Sequence, residues 1–315
     1  MRFVDAETTR RHLAFGPLIE ALRAMFISGC EVPLRQTLAI ADEQGASAGT
    51  ALVMPAWRRG RRFGLKTVMI FPGNGERGLP GLHSTYLLYD ARTGVPLAQL
   101  DGDEITTRRT AAAAALAASY LARADARRLL IAGAGRVAAL LADAMASVRT
   151  LDAVTVWNHR PERAEQLAAQ LGAQGFAASA VADLERGVRE ADIVSCATLA
   201  ERALIEADWL APGAHLDLIG SFTPQMREAA PGCFERARVY VDTPEALAKA
   251  GDVLDAIAQG RFAPAALQGT LSDLCAGRVE GRRDAAEITL FKAVGSALED
   301  LAAAELVVDA LAAEE

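Results

Sequence analysis

The sequence predicts an α/β chain of two domains, a mixed α+β domain followed by a doubly wound parallel sheet. Three observations carry that reading. The apolar strand Leu129-Leu130-Ile131-Ala132 enters the turn Gly133-Ala134-Gly135-Arg136-Val137, and an Ala-rich helix leaves it near Ala138. Beyond this turn, short apolar strands alternate with helical stretches, as right-handed crossovers over a parallel sheet require. Ahead of it, residues 1–128 hold mainly strand-like runs, which suit an antiparallel or barrel-like domain.

Taken in order, residues 12–29 read as a helix with Leu18, Leu22, Met25 and Phe26 on one stripe. Strand-like runs follow at Pro33–Ile40, Thr50–Pro55, Gly64–Phe71, Ser84–Tyr89 and Pro96–Asp101, with Asp90–Gly94 as a turn. Thr106 and Thr107 read as N-caps of a helix running through Ala111–Ala124. Strands are expected at Val154–Trp157, Ile193–Cys196, Ala214–Ile219 and Val239–Asp242, and a helix at Pro161–Leu171.

The glycine turn has the G-x-G-x-x-A form of a Rossmann-type dinucleotide site. Gly133 permits the tight turn, Gly135 lets the backbone approach a pyrophosphate, and the helix N-terminus supplies free N–H groups. A site for NAD usually ends its second strand with Asp or Glu, which accepts from the ribose hydroxyls. Here that strand ends Trp157-Asn158-His159-Arg160, with no carboxylate. Asn158 can donate to a phosphate, Arg160 can pair with one, and His159 adds charge when protonated. The pattern favours NADPH, with NADH possible.

Two cations upstream are anomalous. Alternation places Lys66 on the face of Val68 and Ile70, where a lysine needs an anion or a water-filled cleft. Its ordinary alternative is snorkelling at a sheet edge. Arg109 falls in the first turn of the expected helix, where the macrodipole disfavours a cation. Asp101, Asp103 and Glu104 could compensate it locally; a substrate carboxylate, which suits arginine's planar fork, could do so instead. Arg35, between Pro33 and Thr37, is a third candidate cation.

Bulk properties exclude several classes. At 315 residues the chain can bury a large core. A net charge of −7 argues against a nucleic-acid surface. The basic cluster Arg58-Arg59-Arg61-Arg62 beside Gly60 reads as a solvated hairpin tip. Cys30, Cys196, Cys233 and Cys275 lack metal or disulfide spacing, so no metal site is expected. Residues 1–13 are mixed and charged, unlike a signal peptide, and the Ala111–Ala118 run is too short and weakly apolar to span a bilayer. A cytoplasmic protein that binds neither membrane nor nucleic acid is the expectation.

The stretch Asp101-Gly102, Ile105-Thr106, Arg109-Thr110-Ala111-Ala112, then Gly133-Ala134-Gly135, resembles the ornithine cyclodeaminase/μ-crystallin family. So do Trp157-Asn158, Pro212-Gly213-Ala214-His215, Tyr240-Val241-Asp242, Gly251-Asp252-Val253 and Thr289-Leu290-Phe291-Lys292. The resemblance runs from about Val32 to Asp300 and includes the unusual order of domains. It implies a substrate-binding and dimerisation domain, residues 1–112 with 293–315, and a Rossmann NAD(P)-binding domain, residues 113–292. The C-terminal helix, from Phe291 onward, would pack back on the first domain, and the assembly would be a homodimer. It further implies that Arg35, Lys66 and Arg109 gather around a small-molecule carboxylate. The cofactor contacts would be Gly133, Ala134, Gly135, Arg136, Val137, Asn158, His159, Arg160, Thr198 and Gly220.

The family holds several chemistries. Its cyclodeaminases place an Asp shortly after the strand equivalent to Ala214–Ile219; here Gly220-Ser221-Phe222-Thr223-Pro224 follows, with Phe222 at that position. A carboxylate is also missing before Val53-Met54-Pro55, where Leu52 stands. Cyclodeamination needs a base for the substrate amine, and Phe222 cannot serve. Phe222 is instead a candidate substrate contact, unless it only packs its loop. The Gly-Ser-Phe-Thr-Pro-Gln-Met-Arg-Glu stretch looks like the bacterial Δ1-pyrroline-2-carboxylate reductases of the family. The expected activity is therefore NAD(P)H-dependent reduction of a cyclic ketimine-2-carboxylate, five- or six-membered, to the cyclic amino acid. Lys66, Arg109 and His83 are the candidate catalytic residues, His83 as a proton donor or ring-orienting group. The alternatives are ornithine cyclodeaminase, which uses NAD and releases ammonia, and a non-catalytic ligand-binding protein like μ-crystallin.

Overall fold

The computed structural model describes residues 1–314 and divides into two units, Met1–Arg109 with Ser296–Glu315, and Thr110–Gly295. The first unit is built on a six-stranded sheet of β1 (Arg2–Val4), β2 (Gln36–Ala41), β3 (Ser47–Trp57), β4 (Arg62–Ile70), β5 (Leu82–Asp90) and β6 (Pro96–Asp101). β2 to β6 form an antiparallel meander, and β1 joins parallel to β6. The helices Phe15–Ser28 and Ala297–Ala313 pack together, the latter also against β3 and β4. They cover the sheet face that carries Met54, Val68, Tyr86, Leu88 and Leu100, all buried.

Three helix boundaries differ from the expectation, each for a local reason. The helix expected over residues 12–29 spans Phe15–Ser28, and a separate short helix, Ala6–His12, precedes it; Pro17 is compatible only with the first turn of a new helix. The helix expected to start after Thr106 and Thr107 spans Gly102–Leu121, with the Asp101 carboxylate accepting the Glu104 N–H at 2.8 Å. Thr107 lies inside it and donates back to the Asp103 carbonyl. Phe291 belongs to a strand, and the last helix starts at Ala297, capped by Ser296. The arginine-rich tip between β3 and β4 is also less solvated than expected. Arg58 pairs with Glu305, and Arg62 with Asp309 at 2.7 Å.

The second unit is an eight-stranded, all-parallel sheet: β7 (Arg128–Ala132), β8 (Ala153–Trp157), β9 (Ala178–Ala180), β10 (Ile193–Cys196), β11 (His215–Leu218), β12 (Ala237–Val241), β13 (Gly269–Thr270) and β14 (Ile288–Lys292). Its spatial order is β13-β12-β14-β11-β10-β7-β8-β9, so the chain first moves outward through β8 and β9 and then reverses across β7 to β10. That reversal is the topological switch point of a Rossmann-type fold. Helices such as Ala138–Ala146 and Pro161–Ala173 form the crossovers. The central strands β10, β11 and β14 are buried along their whole length, as helices on both sides require, yet they carry the polar side chains Ser195, His215, Asp217, Thr289 and Lys292 among their apolar ones. No described helix is long and apolar enough to cross a membrane.

Candidate active site

In the first unit, register explains how Lys66 is buried. Lys66 pairs with Met54 on β3 and Tyr86 on β5, so all three share the helix-covered face. Lys66 is 1 % exposed and Arg109 6 %. The anion each requires is within the chain, but it is not Asp101, Asp103 or Glu104. Lys66 Nζ lies 2.6 Å from Asp300 Oδ2, and Arg109 Nε donates to Asp300 Oδ1 at 2.9 Å. Arg109 Nη1 donates to Glu299. Lys66 also donates to Thr106 Oγ1 at 3.3 Å. Glu299 and Asp300 come from the first turn of the Ala297–Ala313 helix and are fully buried. Edge snorkelling of Lys66 is thereby excluded.

The electrostatics follow from burial. Desolvation pulls the Lys66 ammonium down to about 8, against the opposing pull of Asp300. Burial pushes Asp300 up, yet Lys66 and Arg109 outweigh it and hold its carboxyl below the usual range. Burial opposes the charge of Arg109, but Asp300 and Glu299 reverse the effect and raise it. Two cations thus face two carboxylates, and the cluster is neutral overall. The carboxylates use Nε and Nη1 of Arg109, and Lys66 directs one ammonium proton to Asp300 and one to Thr106. Nη2 and one ammonium proton can serve a further acceptor.

The other two candidates of this unit lie apart from that cluster. Arg35 is half-buried and immediately precedes β2. Gln36 pairs with Val53, so Arg35 borders the row that contains Lys66, two strands or roughly 10 Å away. His83 is exposed and pairs with Met69, one residue out of phase with Tyr86. Alternation therefore points it to the sheet face opposite Lys66, away from the cluster.

In the second unit, the glycine turn has the required geometry. Gly133 adopts φ +126°, and a Cβ there would meet the Ala197 carbonyl oxygen at 2.5 Å. Around Gly135, by contrast, a Cβ would find open space, and no described side chain caps the helix Ala138–Ala146 that follows. An open, exposed glycine backbone before an uncapped helix N-terminus fits a pyrophosphate. Ala134, Arg136 and Val137 complete that turn. At the end of β8, Asn158 Oδ1 accepts the Arg160 N–H at 3.0 Å, which leaves the Asn158 amide nitrogen to donate outward. His159 and Arg160 are exposed beside it. Thr198 and Gly220 follow β10 and β11 on the other side of the switch point. Phe222 is partly buried and packs against the core of this unit.

Several buried polar groups here lie in stretches that carry the family resemblance but had no role assigned from the sequence. Glu228 accepts from Thr198 N at 2.7 Å, Thr198 Oγ1 at 2.8 Å and Gly220 N at 2.8 Å. Asp252 accepts from Glu228 N at 2.6 Å and Ala229 N at 3.0 Å, and Lys292 Nζ lies 3.1 Å from its other oxygen. Burial raises Asp252, but Lys292 leads the groups that bring it below the usual range. Asp217, hydrogen-bonded to Ser195 at 2.5 Å, is pushed up to about 7 by burial. Such acids look like solvated charges in a sequence. Only their positions inside apolar runs, as for Asp217 in Ala214-His-Leu-Asp-Leu-Ile219, hint otherwise. Among the described residues no cluster of His, Cys, Asp and Glu is placed to hold a metal ion.

A parallel sheet reversing at a glycine turn, with Lys66 and Arg109 buried against Glu299 and Asp300 in a separate α+β unit, is the fold of a nicotinamide-dependent class of enzymes. The chain belongs to the Ornithine cyclodeaminase/mu-crystallin family, whose pattern it matches over residues 3–315. It is 35 % identical over 318 residues to the Delta(1)-pyrroline-2-carboxylate reductase of Colwellia psychrerythraea, covering 99 % of this chain and 100 % of that one. Its fold matches the Thermococcus litoralis Delta(1)-pyrroline-2-carboxylate reductase in complex with NADH and L-proline, with a TM-score of 0.93, 29 % identity, and 100 % and 98 % coverage. An archaeal alanine dehydrogenase dimer with bound NAD is similar too, with a TM-score of 0.91, 27 % identity, and 100 % and 97 % coverage.

Proposed function

We propose that this protein is an NAD(P)H-dependent reductase of a cyclic ketimine-2-carboxylate, Δ1-pyrroline-2-carboxylate or its six-membered homologue. The observation that carries the proposal is the buried pair Lys66 and Arg109, each held by Asp300 with donors to spare. The similarity to Δ1-pyrroline-2-carboxylate reductases supports the same substrate class. The nicotinamide, when bound, supplies the hydride that C2 of the imine accepts.

Arg109 Nη2 and Lys66 Nζ bind the substrate carboxylate, and the rigid Asp300 and Glu299 contacts fix the directions of both donors. A carboxylate gripped at two points fixes the ring, and with it the face of C2 open to hydride. The neutral cluster also selects the protonation state. A bare anion would leave an uncompensated charge in a buried site, whereas the protonated imine carboxylate is a zwitterion with no net charge. Its iminium carbon is already electrophilic, so C2 gains the hydride, the C=N π pair becomes the nitrogen lone pair, and no strong acid is needed. Arg35 joins as an outer cation that draws the carboxylate in. His83 has no part in this scheme, since it faces the other way. Phe222 shapes the pocket through its loop and replaces a carboxylate that ornithine deamination would use.

Gly133 to Val137 take the pyrophosphate, and Asn158, His159 and Arg160 favour the 2′-phosphate of NADPH, with NADH accepted. The protein works as a cytoplasmic homodimer, a state supported by the dimeric alanine dehydrogenase. The test is the loss of reduced-nicotinamide absorbance with each cyclic imine, using both nicotinamides, alongside ornithine. Turnover of the imine with preference for NADPH is expected. Ammonia release from ornithine with no imine turnover would overturn the reading.

A further inference from the structure

We infer that Glu228 is a positioning residue that sets the nicotinamide half of the cofactor site by fixing two backbone loops at once. The inference rests on the cofactor assignment above. In a sheet of this order the glycine turn and β8 take the adenylate half of a dinucleotide, and the strands across the switch point take the other half. Thr198 and Gly220 lie in the loops that follow β10 and β11 on that second side. Glu228, fully buried, joins them: one oxygen accepts from Thr198 N and Thr198 Oγ1, the other from Gly220 N.

The two loops are in backbone contact. A Cβ on Gly220 would lie 2.0 Å from the Thr198 carbonyl oxygen and 2.3 Å from Glu228 Oε1. A shift of either loop therefore moves the other. Glu228 is itself held from behind, since Asp252 accepts its backbone N–H and Lys292 pairs with Asp252. A fully buried carboxylate is a costly way to staple two loops unless all its acceptor capacity is used. Here each oxygen is committed to the strand ends that flank the nicotinamide side. Among the described residues Glu228 is the side chain that bonds to both Thr198 and Gly220.

Protonation state matters because both loop backbones offer N–H donors. A neutral Glu228 would present an O–H to one of them. The groups that face it are Asp252, Lys292 and Cys196. Burial pushes the Glu228 carboxyl up to about 7; Lys292 pulls it down and Asp252 raises it. The carboxylate that bonds both loops is the form present above that value.

The test compares binding of NADH with binding of ADP-ribose, which lacks the nicotinamide, to the full chain by fluorescence and calorimetric titration. Glu228→Gln places an amide N–H against the Gly220 N–H. It is expected to weaken NADH about tenfold while leaving ADP-ribose within about twofold, as loss of one charge-assisted bond implies. The wild type is expected to lose NADH affinity as pH falls through about 7, and the Gln variant to show no such step. If Glu228→Gln does not fold, Asp252→Asn, which loosens Glu228 from behind, is expected to show the same selective loss at smaller size. Unchanged NADH affinity, or equal losses for the two ligands, would overturn the inference while leaving the cofactor assignment standing. A wild type that binds neither ligand would overturn both.

Discussion

The two units bury charge in opposite ways. In the first, side chains neutralise side chains: Lys66 and Arg109 against Glu299 and Asp300, with cationic donors left over. In the second, two carboxylates, Glu228 and Asp252, share one buried cation, Lys292, and spend their oxygens mainly on backbone N–H groups. The first arrangement offers hydrogen bonds to something that arrives. The second offers almost none and instead decides where loops lie. Buried charge thus marks a ligand site only when donors or acceptors remain after the internal pairs are counted.

The comparison is broken most directly at Arg109. Arg109→Ala is expected to lower kcat/KM for the imine about thousandfold, the equivalent of two charged hydrogen bonds. NADH affinity should stay within about twofold of wild type by titration. A parallel fall in NADH binding would show that the first cluster is not a substrate device. In the second unit, Lys292→Met leaves Asp252 and Glu228 without their cation. It is expected to cost about 3–5 kcal/mol in chemical denaturation, because a buried charge loses its partner. A loss below about 1 kcal/mol would mean that the backbone N–H groups alone carry those acids. The smallest effect is the pH response of substrate binding. Lys66, pulled down to about 8 by burial, holds its charge below that value and loses it above. KM for the imine should then rise, approaching about tenfold per unit well above pH 8, with NADH affinity flat. A KM independent of pH through that range would remove Lys66 from the carboxylate contact.

Much of this site was legible before any coordinates. The strand of alternating residues around Lys66 told its face, because side-chain direction in a strand has period two. The glycine turn told its geometry, because φ +126° at Gly133 excludes a side chain. What failed was capping. Asp101, not Thr106 or Thr107, starts the Gly102–Leu121 helix, so Arg109 sits beyond the reach of the first-turn dipole and its need for an anion had a different cause. Glu299 and Asp300 were hidden because acids in the first turn of a helix are ordinary. Phe222, singled out for the missing carboxylate, packs on the core of its own unit.

By itself the sequence determined the parallel sheet, its nucleotide turn, the strand that buries Lys66 and the family to which these belong. All of these rest on local rules: period, turn chemistry and the spacing of small residues. Only the tertiary structure decided which anions answer Lys66 and Arg109, and that Glu228 holds Thr198 to Gly220. Those partners are remote in the chain, 191 residues apart for Arg109 and Asp300. Nothing in local propensity encodes a contact that exists only because two distant elements share one buried face.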